Sequence, residues 1–294
     1  MNQTPETAKT CPFCRGIKIY FFVNKKGYDL YKCADCNLIF LNKIPDKLND
    51  IYDADYFRGA GKGFGYADYD GDKKSNTGTF NKYLDLLEKY SPQKGRLLDL
   101  GSATGFFISL ARERGWEVSG VEISDYAREY SIQKKLHVVK YLENLAVSDN
   151  YFDAITALDI IEHILESDKF LGQARKILKP AGILIINTPD AGSWFARLTG
   201  KYWHLLVPPE HLYLFNKSNI TQLLQKNGFE VLLIIKIGKK FTLRYIARLL
   251  ANNKIKNHLF IKFTKYLEKS RLGAIPISIN LRDNMFLIAK KNDI

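Results

Sequence analysis

The chain has 294 residues, of which 46% are hydrophobic and 13% aromatic, so it can bury a sizeable core and global disorder is excluded. The formal net charge of +13 is compatible with nucleic acid, an anionic membrane surface or an acidic substrate as partner. No stretch approaches about 18 consecutive apolar residues, and the polar segment 1–10 lacks an apolar signal region, so the sequence predicts a cytoplasmic protein with a disordered leader.

All four cysteines lie near the start of the chain, as the pairs Cys11/Cys14 and Cys33/Cys36. Residues 15–32 separate the pairs, and a gap of roughly 15–20 residues is typical of a zinc site with four thiolate ligands. Two short strands between the pairs can form a hairpin, so we predict a zinc ribbon over residues 11–40. Four protein ligands leave no open coordination position, which favours a structural ion. A ribbon that grips DNA is the alternative, although the segment shows no clustered arginines.

Beyond the ribbon, the sequence changes character twice. Residues 41–74 are rich in Tyr, Asp and Gly, which we interpret as a linker or a loop over a site. Residues 75–90 carry apolar side chains at helical spacing and are followed by a proline. From Gly95 onward, strands and helices alternate, a pattern typical of a mostly parallel sheet.

The predicted fold class is therefore α/β, doubly wound, with a mostly parallel seven-stranded sheet preceded by the small zinc ribbon. The seven strands are expected at residues 96–100, 117–122, 137–141, 152–158, 183–187, 229–237 and 284–290. Helices after the one at residues 75–90 are expected at 104–114, 124–135, 168–178 and 216–227, with a turn at 179–182.

A basic segment over residues 239–271 separates the last two predicted strands. It holds ten lysines and arginines against one acid, Glu268, and so supplies most of the net charge. Lys240, Arg244 and Arg248 are four residues apart, so on a helix they would share one face beside an apolar face. Two basic amphipathic helices fit peripheral contact with an anionic membrane, at the inner membrane face for a cytoplasmic protein. A solvated cap over the core is the alternative.

The predicted ligand site begins at the first strand of the alternating pattern, where Asp99 precedes a turn with Gly101 and Gly105. A strand, a glycine-rich turn and a helix N-terminus form the ligand site of doubly wound folds. A dinucleotide requires a third glycine, whereas Ala103 stands between the two here. An acid before the first glycine suits a cationic ligand without a pyrophosphate, and S-adenosylmethionine is such a ligand. Glu122, at the end of the second strand, can accept from both ribose hydroxyls.

Four segments in chain order resemble the successive motifs of class I S-adenosylmethionine-dependent methyltransferases, at residues 98–105, 121–124, 152–163 and 178–186. The similarity covers residues 75–238 and 284–290 and is greatest to O-methyltransferases of ubiquinone biosynthesis. The cysteine pairs, followed by Tyr52, Asp55 and Phe57, are similar to zinc-bearing methyltransferases of sugar and surface-glycan pathways. The resemblance implies a Rossmann-like methyltransferase domain over residues 75–294, with S-adenosylmethionine as cofactor and structural zinc.

The same resemblance assigns roles to single residues. Asp99 and the turn hold the methionine end of the cofactor, Glu122 holds the ribose, and the adenine lies near residues 142–145. Asp159, at the end of the fourth strand, faces the cofactor cleft or, alternatively, caps a helix. The predicted cofactor-binding residues are Asp99, Gly101, Ser102, Ala103, Gly105, Phe106, Glu122, Ile123, Glu143, Asn144 and Asp159.

A hydroxyl acceptor needs a general base, and histidine is suited to this role near neutral pH. We predict His211 as the base, in the aromatic-rich loop 188–216, with His163 at the mouth of the cleft as the second candidate. A structural role is the alternative for both histidines, and Glu162 with His163 offers two ligands for a divalent metal.

The expected acceptor is a small molecule or a glycan-linked lipid, methylated at a hydroxyl or carbon of a sugar or of a quinone-like ring. The alternative is a zinc-ribbon nucleic-acid-binding protein or an RNA methyltransferase, which predicts strongly salt-dependent binding. The basic residues lie far along the chain from the ribbon, and this separation counts against nucleic acid.

Overall fold

The fold is that of a computed structural model, which describes residues 10–45, 76–243, 247, 262–264, 266–267, 270 and 272–292. The predicted leader, most of the linker 41–74 and most of the basic segment 239–271 lie outside the described residues. No helix among the described residues is both long and apolar enough to span a membrane.

In the part of the chain that the structure describes, thirteen strands and six α-helices are labelled in chain order. The strands are β1 Ile19–Lys25, β2 Tyr28–Cys33, β3 Ile39–Leu41, β4 Arg96–Leu100, β5 Glu117–Val121, β6 His137–Val139, β7 Phe152–Leu158, β8 Leu178–Pro189, β9 Tyr213–Leu214, β10 Phe229–Ile235, β11 Lys239–Thr242, β12 Pro276–Ile279 and β13 Asn284–Lys291. The helices are α1 Thr77–Tyr90, α2 Phe106–Glu113, α3 Asp125–Gln133, α4 Ser167–Ile177, α5 Trp194–Thr199 and α6 Lys217–Lys226.

The central sheet has seven strands in the spatial order β10-β13-β8-β7-β4-β5-β6. Strands β8, β7, β4, β5 and β6 are parallel, and β13 and β10 are antiparallel to their neighbours. This confirms the predicted fold class. The one clear difference is in β8, where the predicted turn at residues 179–182 bulges out between Leu178 and Ile183, which both pair with β7.

Alternate strand residues of the sheet enter two separate cores, one on each face. Leu98, Leu184 and Ile186 pack on the face covered by α4 and α6. Leu97 and Ile185 pack on the other face, against α1 and α2. Helices therefore cover both faces of the parallel strands. The place for a ligand is the edge of the sheet where β4, β5 and β7 end.

A second sheet, in the order β1-β2-β3-β9, joins the cysteine-bearing segment to the loop that follows β8. In this sheet β3 pairs with β9. The N–H of Leu41, at the end of β3, also donates to the carbonyl of Leu212 in the loop, at 2.9 Å. A core of its own, containing Leu30, Trp203 and Leu214, lies beneath this sheet. The ribbon and the loop that carries His211 thus contribute strands to one sheet.

The basic segment differs from its prediction at its start. Residues Lys239–Thr242 form β11, which pairs antiparallel with β12, so the helix predicted from residue 239 is wrong for these four residues. Lys240 therefore does not share a helix face with Arg244 and Arg248. Pairing with a partner far along the chain overrides a helical pattern, and the sequence alone gives no sign of it.

Candidate active site

The turn after β4 is held against the neighbouring strand β5. The N–H groups of Gly101 and Ser102 both donate to the carbonyl of Val121, at 2.8 and 3.0 Å. Gly101 has φ +77°, and a Cβ there would collide with the side chain of Ile160, so the position requires glycine. Gly105, at φ +74°, precedes α2 and turns the chain into that helix.

Glu122 closes the turn from the end of β5. Its carboxylate is buried and accepts from the N–H groups of Ala103 and Ser124, both at 2.8 Å. Burial raises the pKa of Glu122, and these backbone hydrogen bonds oppose the rise. Since a carboxylate oxygen has two acceptor sites, both oxygens retain capacity for hydroxyl groups of a ligand.

Asp99 lies on the neighbouring strand end and is fully buried. Its Oδ1 accepts from the hydroxyl of Thr156 at 2.6 Å. Burial raises the pKa of Asp99 to about 7; the Thr156 hydrogen bond opposes this and the charge of Glu122 adds to it. Two buried acids side by side disfavour each other's charged form, and a cationic ligand group would relieve this.

The site also contains a buried hydroxyl without a partner. Among the described residues, no group forms a hydrogen bond with the Oγ of Ser124, which adjoins Glu122 in the chain. Buried polar atoms are normally satisfied, so this hydroxyl is a place for a polar ligand. The carboxyls of Asp99 and Glu122, the hydroxyl of Ser124 and the backbone of the glycine turn fit the ammonium and ribose groups of S-adenosylmethionine.

The remaining predicted cofactor residues lie along the same edge of the sheet. The side chain of Ser102 lies against Gly120 of β5, and its buried hydroxyl also has no hydrogen-bond partner among the described residues. Phe106 begins α2, and Ile123 follows β5 half-buried. Glu143 and Asn144 are exposed on the 3-10 turn Leu142–Leu145, just after β6.

Asp159 follows β7 in the left-handed region, at φ +58°. Its Oδ1 accepts from the side-chain amide of Asn187 at 2.5 Å, and its N–H donates to the carbonyl of Asn187 at 2.7 Å. The short turn Ile161–His163 has Ile160 as its N-cap, so Asp159 does not cap it. Sequence reasoning missed Asn187, although an amide in the apolar run of β8 was a usable signal.

His163 and His211 form a pair, with ring centroids 4.8 Å apart. The Nδ1 of His163 is 2.8 Å from the carbonyl of Glu210, and the Nδ1 of His211 is 2.8 Å from the carbonyl of Leu205. A carbonyl only accepts, so each Nδ1 carries the proton and each neutral ring keeps its lone pair on Nε2. Burial lowers the pKa of His163, which keeps it neutral, while the Glu210 carbonyl and Asp159 oppose the shift.

Glu162 adjoins this pair. It is buried, its Oε2 accepts from the hydroxyl of Thr188 at 2.9 Å, and its Oε1 is 3.9 Å from the Nε2 of His163. One ligand atom each from Glu162, His163 and His211 lies within 4.8 Å of the others. Two imidazoles whose Nδ1–H groups are tied to carbonyls, together with a carboxylate, also fit a divalent cation.

The four cysteines form a second cluster, with all sulfurs within 4.8 Å of one another. The sulfurs of Cys11 and Cys36 are 3.7 Å apart, and those of Cys14 and Cys33 are 3.6 Å apart. These separations are too long for disulfides and match the edge of a tetrahedron with metal–sulfur bonds of about 2.3 Å. The contact between the two sulfurs lowers the pKa of the Cys11 thiol and raises the pKa of the Cys36 thiol.

The sheet order, the turn after β4 and the acids at the strand ends together define an S-adenosylmethionine-dependent methyltransferase. Residues 76–234 match the model of the family described as "Methyltransferase domain", which is more than half of the chain. The chain belongs to this methyltransferase family.

Two curated relatives are similar over about half of the chain. The biotin biosynthesis bifunctional protein BioHC of Cellvibrio japonicus is 27% identical over 159 residues, which is 52% of this chain but only 31% of that protein. A ubiquinone biosynthesis O-methyltransferase of Coxiella burnetii is 24% identical over 163 residues, covering 51% of this chain and 70% of that protein.

The solved structures agree on the fold. Phosphoethanolamine N-methyltransferase 2 of Haemonchus contortus, in complex with S-adenosyl-L-methionine, aligns with a TM-score of 0.52 and 18% identity. The alignment covers 87% of this chain and 63% of that chain. At this identity the similarity concerns the fold alone, and it agrees with the predicted Rossmann-like sheet.

Proposed function

We propose that this methyltransferase acts on a small-molecule acceptor, at a hydroxyl or carbon of a sugar, a glycan-linked lipid or a quinone-like ring. The observation that carries the proposal is the pair of imidazoles at His163 and His211, whose Nδ1 atoms each lie 2.8 Å from a backbone carbonyl. Bound S-adenosylmethionine supplies an activated methyl group on its sulfonium. The protein's task is then to align the acceptor and remove its proton.

For the cofactor, we propose that Asp99 and the turn Gly101–Gly105 hold the methionine end. Glu122 binds the ribose hydroxyls, and Leu142–Leu145 lines the adenine. The buried carboxyls of Asp99 and Glu122 and the two glycines of the turn support this arrangement. The remaining predicted contacts, Ser102, Ala103, Phe106, Ile123, Glu143, Asn144 and Asp159, lie on the same edge of the sheet.

For the proton, we propose His211 as the general base and His163 as the second candidate. The carbonyl of Leu205 accepts from Nδ1–H of His211 and orients the ring, so Nε2 is the nitrogen that would take the proton of the acceptor. The resulting imidazolium of His211 carries one positive charge, which the nearby buried carboxylate of Glu162 stabilises.

For the ribbon, we propose a structural zinc ion held by Cys11, Cys14, Cys33 and Cys36. The sulfur separations support four-coordinate geometry with no open position. The ion would stabilise a segment that is too small to fold on its own core.

A methyl-transfer screen tests the acceptor class. The enzyme is incubated with S-adenosylmethionine labelled in the methyl group and with three panels: catechol-type quinone precursors, nucleotide sugars and lipid-linked glycans. Label in one panel assigns the class. Label in RNA instead, with binding that falls steeply between two salt concentrations, would contradict the small-molecule proposal.

Replacement of Glu122 by alanine tests the cofactor site. We expect roughly 100-fold weaker binding of S-adenosylhomocysteine, because two hydrogen bonds to a charged group are lost, each contributing about 1.5 kcal/mol. Isothermal titration calorimetry measures the affinity. Glu117→Ala is the matched control, since this exposed acid at the other end of β5 forms only a surface ion pair with Arg96. Equal affinity of Glu122→Ala and wild type would refute the assigned role.

A further inference from the structure

The short helix α5 presents large apolar side chains to solvent. Trp194 is 59% exposed and Leu198 is 74% exposed. They are four residues apart and so share one face of the helix, while Ala196 is buried on another. Tyr202, in the turn that directly follows, is 79% exposed. Trp194 and Leu198 thus lie on the solvent face of α5, where polar side chains are usual, whereas Phe195 packs in part against the core beneath the second sheet.

Cations accompany these apolar side chains. Arg197 and Lys201 are exposed in the same segment. Burial lowers the pKa of Lys32 in β2, and the nearby charge of Arg197 lowers it further. Among the described residues, no carboxylate forms an ion pair with Lys32, Arg197 or Lys201. Neighbouring cations without acids attract an anionic partner.

We propose that this surface, residues 194–202 together with Lys32, docks on an anionic lipid bilayer. Trp and Tyr prefer the headgroup level of a membrane, where the ring is apolar at one end and hydrated at the other. A leucine beside them adds buried apolar area, and lysine and arginine bind the lipid phosphates. Exposed aromatic rings beside cations that no described carboxylate pairs match a lipid surface better than an apolar protein groove.

The surface lies beside the loop that leads to the histidine pair. The ring of Phe195, on α5, is 6.0 Å from the ring of His204 in the same loop. The main chain continues from Trp203, whose carbonyl accepts from Lys25, toward His211. Docking would therefore bring the bilayer alongside the loop proposed to contact the acceptor. The docking surface itself does not depend on which acceptor is methylated.

The chain contains three tryptophans, and their burial makes a direct test possible. Trp116 and Trp203 are only 2% and 1% exposed, so Trp194 alone can reach lipid. We expect vesicles of phosphatidylglycerol and phosphatidylcholine that carry doxyl-labelled lipid to quench tryptophan fluorescence and to sediment with the protein. Vesicles of phosphatidylcholine alone should bind much more weakly.

Matched variants separate this surface from the basic segment 239–271. Trp194→Phe should still sediment but lose the quenching. Arg197→Gln with Lys201→Gln should bind roughly 30-fold more weakly. Because these side chains are exposed, thermal unfolding should be unchanged. Sedimentation without quenching of Trp194 would locate the contact elsewhere and overturn the proposal, as would failure of the vesicles to bind.

Discussion

Replacement of His211 by asparagine lowers kcat for methyl transfer by roughly 10²–10⁴-fold, the usual contribution of a general base. Asparagine can still donate an N–H to the carbonyl of Leu205, but it has no basic nitrogen in place of Nε2. Binding of S-adenosylhomocysteine should remain as in wild type, because His211 is proposed to act on the acceptor and not to hold the cofactor. Single-turnover kinetics with the acceptor from the screen, together with calorimetry, measure the two quantities separately.

His204→Asn is the control for this prediction. His204 belongs to the same loop but is exposed, and its Nδ1 is 3.6 Å from Asp283 rather than beside His163. Its variant should keep a kcat close to wild type. A wild-type kcat in His211→Asn would remove this residue as base and favour His163. Loss of activity in a chelator, with recovery on adding Mg²⁺ or Mn²⁺, would instead assign Glu162, His163 and His211 to a metal.

The sequence predicts the central sheet well because its signals are local. Strands β4 and β7 have the predicted bounds, since short apolar runs between polar turns mark buried parallel strands. The turn at Gly101 is equally readable, because its positive φ and the contact with Ile160 demand glycine. Acids placed at the ends of consecutive parallel strands meet at one edge, so the proximity of Asp99 and Glu122 also follows from the chain order.

Contacts between distant segments were not predictable in the same way. Strand β9 has two residues, too few for any periodicity, yet its pairing with β3 brings the ribbon to the loop that carries His211. The approach of His211 to His163 depends on that pairing and on backbone carbonyls that no side-chain pattern encodes. The bond between Asp159 and Asn187 likewise joins residues on different strands, and only the buried amide in β8 pointed to it.

The ribbon is therefore joined to the loop that carries the proposed base. Loss of its proposed metal should have the largest effect on the stability of the protein. Cys11 is fully buried and belongs to the same core as Phe215 and Ile220, which lie just after His211 in the chain. We expect Cys11→Ser to lose bound zinc, measured by atomic emission, and about 4 kcal/mol or more of unfolding free energy in urea. Ala34→Ser, an exposed position between Cys33 and Cys36, adds the same hydroxyl without removing a thiol and should behave as wild type.

The effect on activity should be selective, because among the described residues the ribbon pairs with the loop that carries His211, the proposed base. The carbonyl of Cys36 accepts from Asn216 at 2.9 Å, and the N–H of Leu212 donates to the carbonyl of Glu162 at 2.9 Å. Without the metal, kcat should fall while S-adenosylhomocysteine binds as before, and hydrogen exchange should increase at Leu212 but not at Ala103. Zinc loss with unchanged kcat would show that the ribbon does not position His211, and full stability without zinc would contradict the structural ion.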